Sequence, residues 1–207
     1  GYYHQTWDAA RTAPAGTTLG VAFGGWADVT LALSDATNTF SKLGGAKYLD
    51  VGGGNGSGAW TAALITKLDA NLAVVKNAGY VGICYDIEEG VTGLAPAFAA
   101  SFANAKAAGL KVLVTISHSA PYGFPDAAAV MSAVFASASV DYLSPQLYTT
   151  GAETANDWAT SGGVAWTSYA GIAARVVPSV ARAGLYASAQ ATFATYGVTT
   201  WGYVAWS

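Results

Sequence analysis

The chain has 207 residues, of which 53% are apolar and 10% charged, with nine Lys/Arg against twelve Asp/Glu and a net charge of −3. That is apolar material for one large domain or two small ones, and the composition excludes a disordered chain. No Lys/Arg cluster marks a nucleic-acid or anionic-membrane surface, and no apolar run reaches the ~18 residues of a membrane span, so neither nucleic acid nor membrane is expected as a partner.

Short apolar runs recur at intervals of roughly 20 to 35 residues and read as strands. In chain order they are GYYHQTW (1–7), TLGVAFGG (18–25), AKYLDVGGG (46–54), YVGICYDIE (80–88), KVLVTIS (111–117), YLSPQLY (142–148), RVVPSV (175–180) and WGYVAW (201–206). Between most of them lie Ala-rich segments of helical period: Val29–Leu43, Trp60–Ala78, Pro96–Ala108, Asp126–Ala138 and Ala183–Tyr196. Strand and helix alternate with no break in composition, which predicts parallel strands joined by crossover helices in one α/β domain over 1–207. Eight such strands predict a closed (β/α)8 barrel of the TIM type, with a doubly wound open sheet as the alternative.

The barrel is compact, since ~250 residues is typical. Residues 8–17 are too few and too rich in Gly and Pro for a full first helix, and Ser207 follows directly on strand eight without a last helix. Both gaps fall at the seam between strands one and eight. The outward apolar residues there are expected to need cover, by self-association or by a partner segment. Cys84 stands alone, which excludes an intramolecular disulfide. The chain begins at Gly1 with neither Met nor a signal peptide, and its composition, rich in Thr, Ser, Ala and aromatics and poor in Lys, suggests secretion.

The fourth run holds the densest chemistry. Side chains alternate along a strand, so Val81, Ile83, Tyr85 and Ile87 share one face while Gly82, Cys84, Asp86 and Glu88 share the other. The apolar face suits the outer helices. The second face is small, then acidic toward its C-terminal end, where barrels of this type place their active sites. Glu89 points the other way. Lys67, Lys76, Lys106 and Lys111 all lie on helices or at strand starts, away from Asp86 and Glu88. Unpaired carboxyls on one strand face repel each other, and that holds one protonated, as a general acid requires. The structural alternative is a pair of solvated or ion-paired strand-end acids.

With these residues in view, YVGICYDIE resembles the fourth-strand D-x-x-D-x-D-x-E motif of the family 18 glycoside hydrolases. VAFGG, LDVGG, SPQLYT and GYVAWS, together with GYYHQTW, resemble the family's other strand segments in order, and the wording is most similar to the plant-type chitinases. The resemblance implies a retaining mechanism in which the substrate's own 2-acetamido oxygen attacks its anomeric carbon. It implies that Glu88 protonates the leaving oxygen, that Asp86 orients the acetamido group, and that Tyr148 hydrogen-bonds the acetamido oxygen. It further implies Trp206 as the apolar floor under the sugar, Phe23 as a wall, Gln146 as a nearby hydrogen-bonding group, and Tyr2, Trp7 and Asp50 among the substrate-binding residues. The substrate would be an oligosaccharide or polysaccharide containing N-acetylglucosamine.

Two acids of the motif are replaced, by Val81 and Cys84, while Asp50 stands where the third-strand segment has Ser. Either Asp50 supplies from the neighbouring strand the carboxylate lost at 84, or it binds a backbone donor and Cys84 fills the core. The sequence leaves both open. GGGNGSG (52–58) follows a strand but lacks the Gly-Lys-Ser/Thr ending of a phosphate loop, so a tight turn beside the cleft is expected, and no cofactor. His4 and His118, the two histidines, lie in no metal-ligand spacing, so no metal is expected. Trp7, Trp26, Trp60, Tyr122, Trp158 and Trp166 follow strands or open the next segment, as rim aromatics for further sugars or as core. Two functions of different class follow: a glycosidase cleaving β-1,4 linkages next to N-acetylglucosamine, and a lectin on the same scaffold. A storage or structural role is a third.

Overall fold

The computed structural model describes residues 1–207. Each apolar run forms strand, trimmed at its ends in most cases: β1 (Tyr2–Gln5), β2 (Leu19–Phe23), β3 (Ala46–Gly52), β4 (Gly82–Ile87), β5 (Lys111–Ser117), β6 (Tyr142–Gln146), β7 (Arg175–Val176), β8 (Ser179–Val180) and β9 (Val204–Ala205). All pairings are parallel, in the order β5-β4-β3-β2-β1-β9-β8-β6-β7, and β5 also pairs with β6, which closes the ring. The seventh run splits at Pro178, which has no N–H for the ladder. Its two pieces both pair with β6 and together form one stave. The fold is therefore a closed parallel barrel of eight staves with flanking helices, and the open sheet is excluded.

The helices are α1 (Val29–Asp35), α2 (Thr37–Phe40), α3 (Ala62–Ala70), α4 (Leu72–Asn77), α5 (Ala95–Ala107), α6 (Ala127–Ala136) and α7 (Tyr186–Thr195). Two segments expected as single helices are each broken, the first at Ala36 and the second at Asn71. Trp60 is not helical. It bridges to Gly90, and α3 starts behind Thr61, whose hydroxyl accepts from the Leu64 N–H as an N-cap. Trp60 is thereby free to turn its indole against β4, where Nε1 donates to the Asp86 carbonyl at 2.8 Å.

Alternation sorts the core into two layers. Ile83, Tyr85 and Ile87 pack outward among the helices, while Cys84 lies inside the barrel with Tyr3, Val21, Tyr48 and Leu113. Hydroxyls tie the interior together across strands: Tyr3 Oη lies 2.9 Å from Ser179 Oγ and donates to Thr115 Oγ1 at 3.1 Å, and Ser144 Oγ lies 2.7 Å from Ser179 Oγ. Every partner in this buried set is another hydroxyl or a backbone carbonyl, so the polar groups are satisfied without water.

Residues 8–17 form no helix, yet they cover the outward face of β1, where Tyr2 and His4 are buried. The Arg11 guanidinium sits 5.6 Å from the Tyr2 ring centroid, and Lys42 Nζ donates to the Ala9 carbonyl at 2.9 Å. Ala205 of β9 is buried as well. What stays open is a groove of about 420 Å³ lined mainly by small residues such as Pro14, Ala15, Gly16 and Ala183. A loop with no regular structure thus buries an aromatic ring at the seam.

Candidate active site

β4 delivers the acids. Asp86 is its penultimate residue and fully buried, and Glu88 follows the strand end on the same inward face. The approach of β3 to this point is set by Gly52, whose φ is +115° and whose missing Cβ would stand 2.0 Å from the Asp86 carbonyl oxygen. The glycine therefore makes room for the Asp86 backbone and the Trp60 indole, not for the Asp86 side chain.

Gln146, at the end of β6, bridges the two acids. Its Nε2 donates to Glu88 Oε1 at 3.1 Å and lies 3.5 Å from Asp86 Oδ1. No lysine or arginine reaches either carboxylate. Burial raises both carboxyls above the ordinary carboxylate range, and for Asp86 the charges of Glu88 and Asp50 push the same way. For Glu88 the hydrogen bonds from Gln146 and Asp86 offset part of the rise. The pair therefore holds a proton at a pH where exposed acids have lost theirs.

Asp50 points inward from β3, level with Cys84 on β4 and one inward position below Asp86. It is buried, and neither of its oxygens has a hydrogen-bond partner. Burial pushes this carboxyl far upward, the adjacent Cys84 thiol offsets part of the rise, and the Glu88 charge adds a smaller push. An ionised group in that position would be unpaired and unsolvated, so Asp50 keeps its proton well above the ordinary carboxylate range. The backbone-donor alternative for Asp50 is thereby excluded. The Cys84 thiol is itself driven up by burial and by Asp50, which leaves it un-ionised and unreactive.

Aromatic rings form the opposite wall. Trp206 packs between Phe23, Tyr3 and Tyr148, with ring centroids at 5.0, 5.8 and 5.9 Å. Its carbonyl accepts from Gln5 Nε2 at 2.9 Å, and Gln5 Oε1 accepts from Arg11 at 3.0 Å. Burial raises the Tyr148 phenol well above its ordinary value, so it remains a neutral donor. The cleft between the acids and this wall has a volume of about 280 Å³. Its only carboxyls are those of Asp86 and Glu88. Gly151, with φ +82°, closes over the indole, and a Cβ there would stand 2.1 Å from Trp206 Cδ1.

The structure thus gathers Glu88, Asp86, Gln146, Tyr148, Trp206 and Phe23 in one cleft. Asp50 lies beneath it. Trp7 lies outside the lining, 65% exposed and edge-on to Phe23 at 5.7 Å. Tyr2 is a correction: it faces outward, its hydroxyl on the backbone of Lys42 and Gly44, and Tyr3 lines the cleft instead. Tyr3 shares a face with Gln5, but two adjacent tyrosines in an all-buried strand give no polar alternation to tell them apart. Asn55, Thr149 and Thr150 also line the cleft and were not singled out. Asn55 was legible as the cap of the glycine-rich turn, where its Oδ1 accepts from the Ser57 and Gly58 N–H groups. His118 Nε2 lies 3.1 Å from Asp157 Oδ2.

No protein-family model matches this chain, and no curated protein sequence does. Among solved structures it is similar to a chitinase from Chromobacterium violaceum, at 17% identity and a TM-score of 0.42, over 80% of this chain and 61% of that one. It is also similar to a spore cortex-lytic enzyme of Bacillus megaterium, at 13% identity and a TM-score of 0.49, over 86% of this chain and 49% of that one. The chain therefore spans about half to three fifths of the length of these two proteins. Likenesses so distant say nothing of what this chain binds or cleaves, and the barrel rests on its own strand pairing.

Proposed function

We propose that this chain is a glycoside hydrolase acting on β-1,4-linked glycans that contain N-acetylglucosamine, with substrate-assisted retention. The observation that carries the proposal is the pairing of two raised, cation-free carboxyls with an aromatic wall across one small cleft. A single amide nitrogen, Gln146 Nε2, reaches both carboxyls. They therefore stand on one side of the cleft, and no second carboxylate faces Glu88 across the width of a sugar. A nucleophile or water-activating base from the protein is missing there, which supports an internal nucleophile from the substrate.

Glu88, protonated, gives its proton to the glycosidic oxygen as the bond to C1 breaks. The acetamido oxygen closes on C1, and Asp86 holds the acetamido N–H and its developing positive charge. Tyr148 donates to the acetamido oxygen. Water then attacks C1 as the bond from C1 to the acetamido oxygen breaks, which restores the acetamido group, and a proton of the water passes to Glu88, so the acid is regenerated. Trp206 supplies a flat apolar face for the sugar's C–H groups.

The direct test is release of shorter products from chitotetraose by the purified chain, beside the Glu88→Gln variant. Binding without release returns the lectin reading. Trp206→Ala is expected to weaken oligosaccharide binding by about 1 kcal/mol, several-fold in Kd, measured by titration calorimetry. Gly151→Ala is expected to weaken it in the same assay, because the added methyl displaces the indole. Equal affinity in both variants would place the sugar elsewhere.

A further inference from the structure

The two oxygens of Glu88 have different surroundings. Oε1 accepts from Gln146 on the Asp86 side. Oε2 is turned toward the loop after β3, where Gly54 leaves a gap. A Cβ at that residue would stand 2.8 Å from Glu88 Oε2 and 3.1 Å from Tyr122 Oη. The free oxygen of the acid and the Tyr122 hydroxyl thus converge on one point, with no side chain between them.

Tyr122 is 54% exposed, yet it is fixed at both ends. Its hydroxyl donates to Glu89 Oε1. Its N–H donates to Ser117 Oγ at 3.0 Å, and the next N–H, of Gly123, donates to the Glu88 carbonyl at 2.8 Å. The ring is an exposed aromatic face locked to the segment that carries the acid. Of the other aromatics expected on the rim, Trp60 and Trp166 are buried, Trp158 packs edge-on to Trp166 and Phe193, and Trp26 is half-buried outside the cleft lining with its Nε1 donating to Asp35 Oδ2 at 3.3 Å. Trp7 stands beyond Phe23 on the Trp206 side. The cleft therefore has two aromatic ends with Glu88 between them: an enclosed end at Trp206 and an open end at Tyr122.

We propose that the cleft is directional: the sugar attacked at C1 lies on Trp206, and the leaving sugar lies against the Tyr122 ring beside Gly54, so that Tyr122 sets the preference for saccharide leaving groups. The proposal rests on the glycosidase reading of Glu88. A general acid must stand over the oxygen that joins the two sugars, and Oε2 is the oxygen free to do so. The reacting sugar needs the enclosed, oriented end, whereas the leaving sugar departs first and suits the open one. A ring already immobilised stacks on a sugar with little further ordering cost.

The test compares kcat/KM on chitotetraose with kcat/KM on chitobiosyl β-fluoride, whose leaving group is a single atom and touches no aromatic. In Tyr122→Ala the tetrasaccharide-to-fluoride ratio is expected to fall roughly five- to tenfold, the scale of one aromatic stack. Tyr122→Phe keeps the ring while losing the bond to Glu89, and should hold the ratio near that of the native chain. Trp206→Ala should lower both substrates alike. An unchanged ratio in Tyr122→Ala, or a Phe variant that loses as much as Ala, overturns the proposal. Failure of the native chain on both substrates is a separate result. It removes the glycosidase reading, and this proposal with it.

Discussion

Glutamine in place of Glu88 is expected to abolish hydrolysis while leaving oligosaccharide affinity within several-fold. The amide matches the carboxyl in size and can still meet the Gln146 amide, but it has no proton to give. Loss of a general acid lowers rate by about 10² to 10⁴. Single-turnover release from chitotetraose reads the first effect, and titration with the same sugar reads the second. Undiminished turnover would sink the assignment of Glu88. A matching loss of affinity would mean that the variant had disturbed the cleft rather than the chemistry.

Asp50→Asn should cost activity by roughly tenfold, less than loss of the acid itself and more than Cys84→Ser does. The reason is electrostatic. Asp50 lies beneath Asp86, both carboxyls titrate above the ordinary range, and ionising one holds the proton on the other. Asparagine cannot ionise, so Asp86 loses that push and the acid limb of the pH–rate profile should move to lower pH. Stability gives an independent reading. The ordinary Asp value is 3.8 and the folded value lies well above it. A raised carboxyl contributes stability that is fully present below the unfolded pKa and is lost as pH rises toward the folded one. Asparagine does not titrate, so the melting temperature of Asp50→Asn should gain on the native chain from pH 4 upward. A difference in melting temperature that is flat across pH would show that Asp50 is not held neutral. An unmoved acid limb would show that Asp86 does not feel it.

Much of the barrel was legible because its signals are local. Period-two alternation in YVGICYDIE separates Ile83, Tyr85 and Ile87 from Cys84 and Asp86, and a one-residue error would have put acids among the helices. The inward setting of Asp50 followed from the same rule through Gly52. Local signals fail where no contrast exists. Tyr2 and Tyr3 are alike in type and burial, so the strand's parity could not be read from them. The helical segments were continuous in composition, but Asn71 breaks the second as the chain turns to meet the barrel.

What the sequence determined by itself is the parallel α/β alternation, the two faces of β4 and the placing of its acids at a strand end. Each depends on periodicities that the backbone enforces within a few residues. The tertiary structure alone decided which rings stand in the cleft. Trp60 and Trp166 are buried and Tyr122 is exposed, although all three are aromatics in the loops that follow strands. It also decided that residues 8–17 cover Tyr2, and that Gly54 leaves Glu88 Oε2 facing Tyr122. These outcomes depend on closure of the ring, which brings strand ends from distant parts of the chain to one rim. Packing there is settled by which side chains meet, and no spacing along the sequence records that.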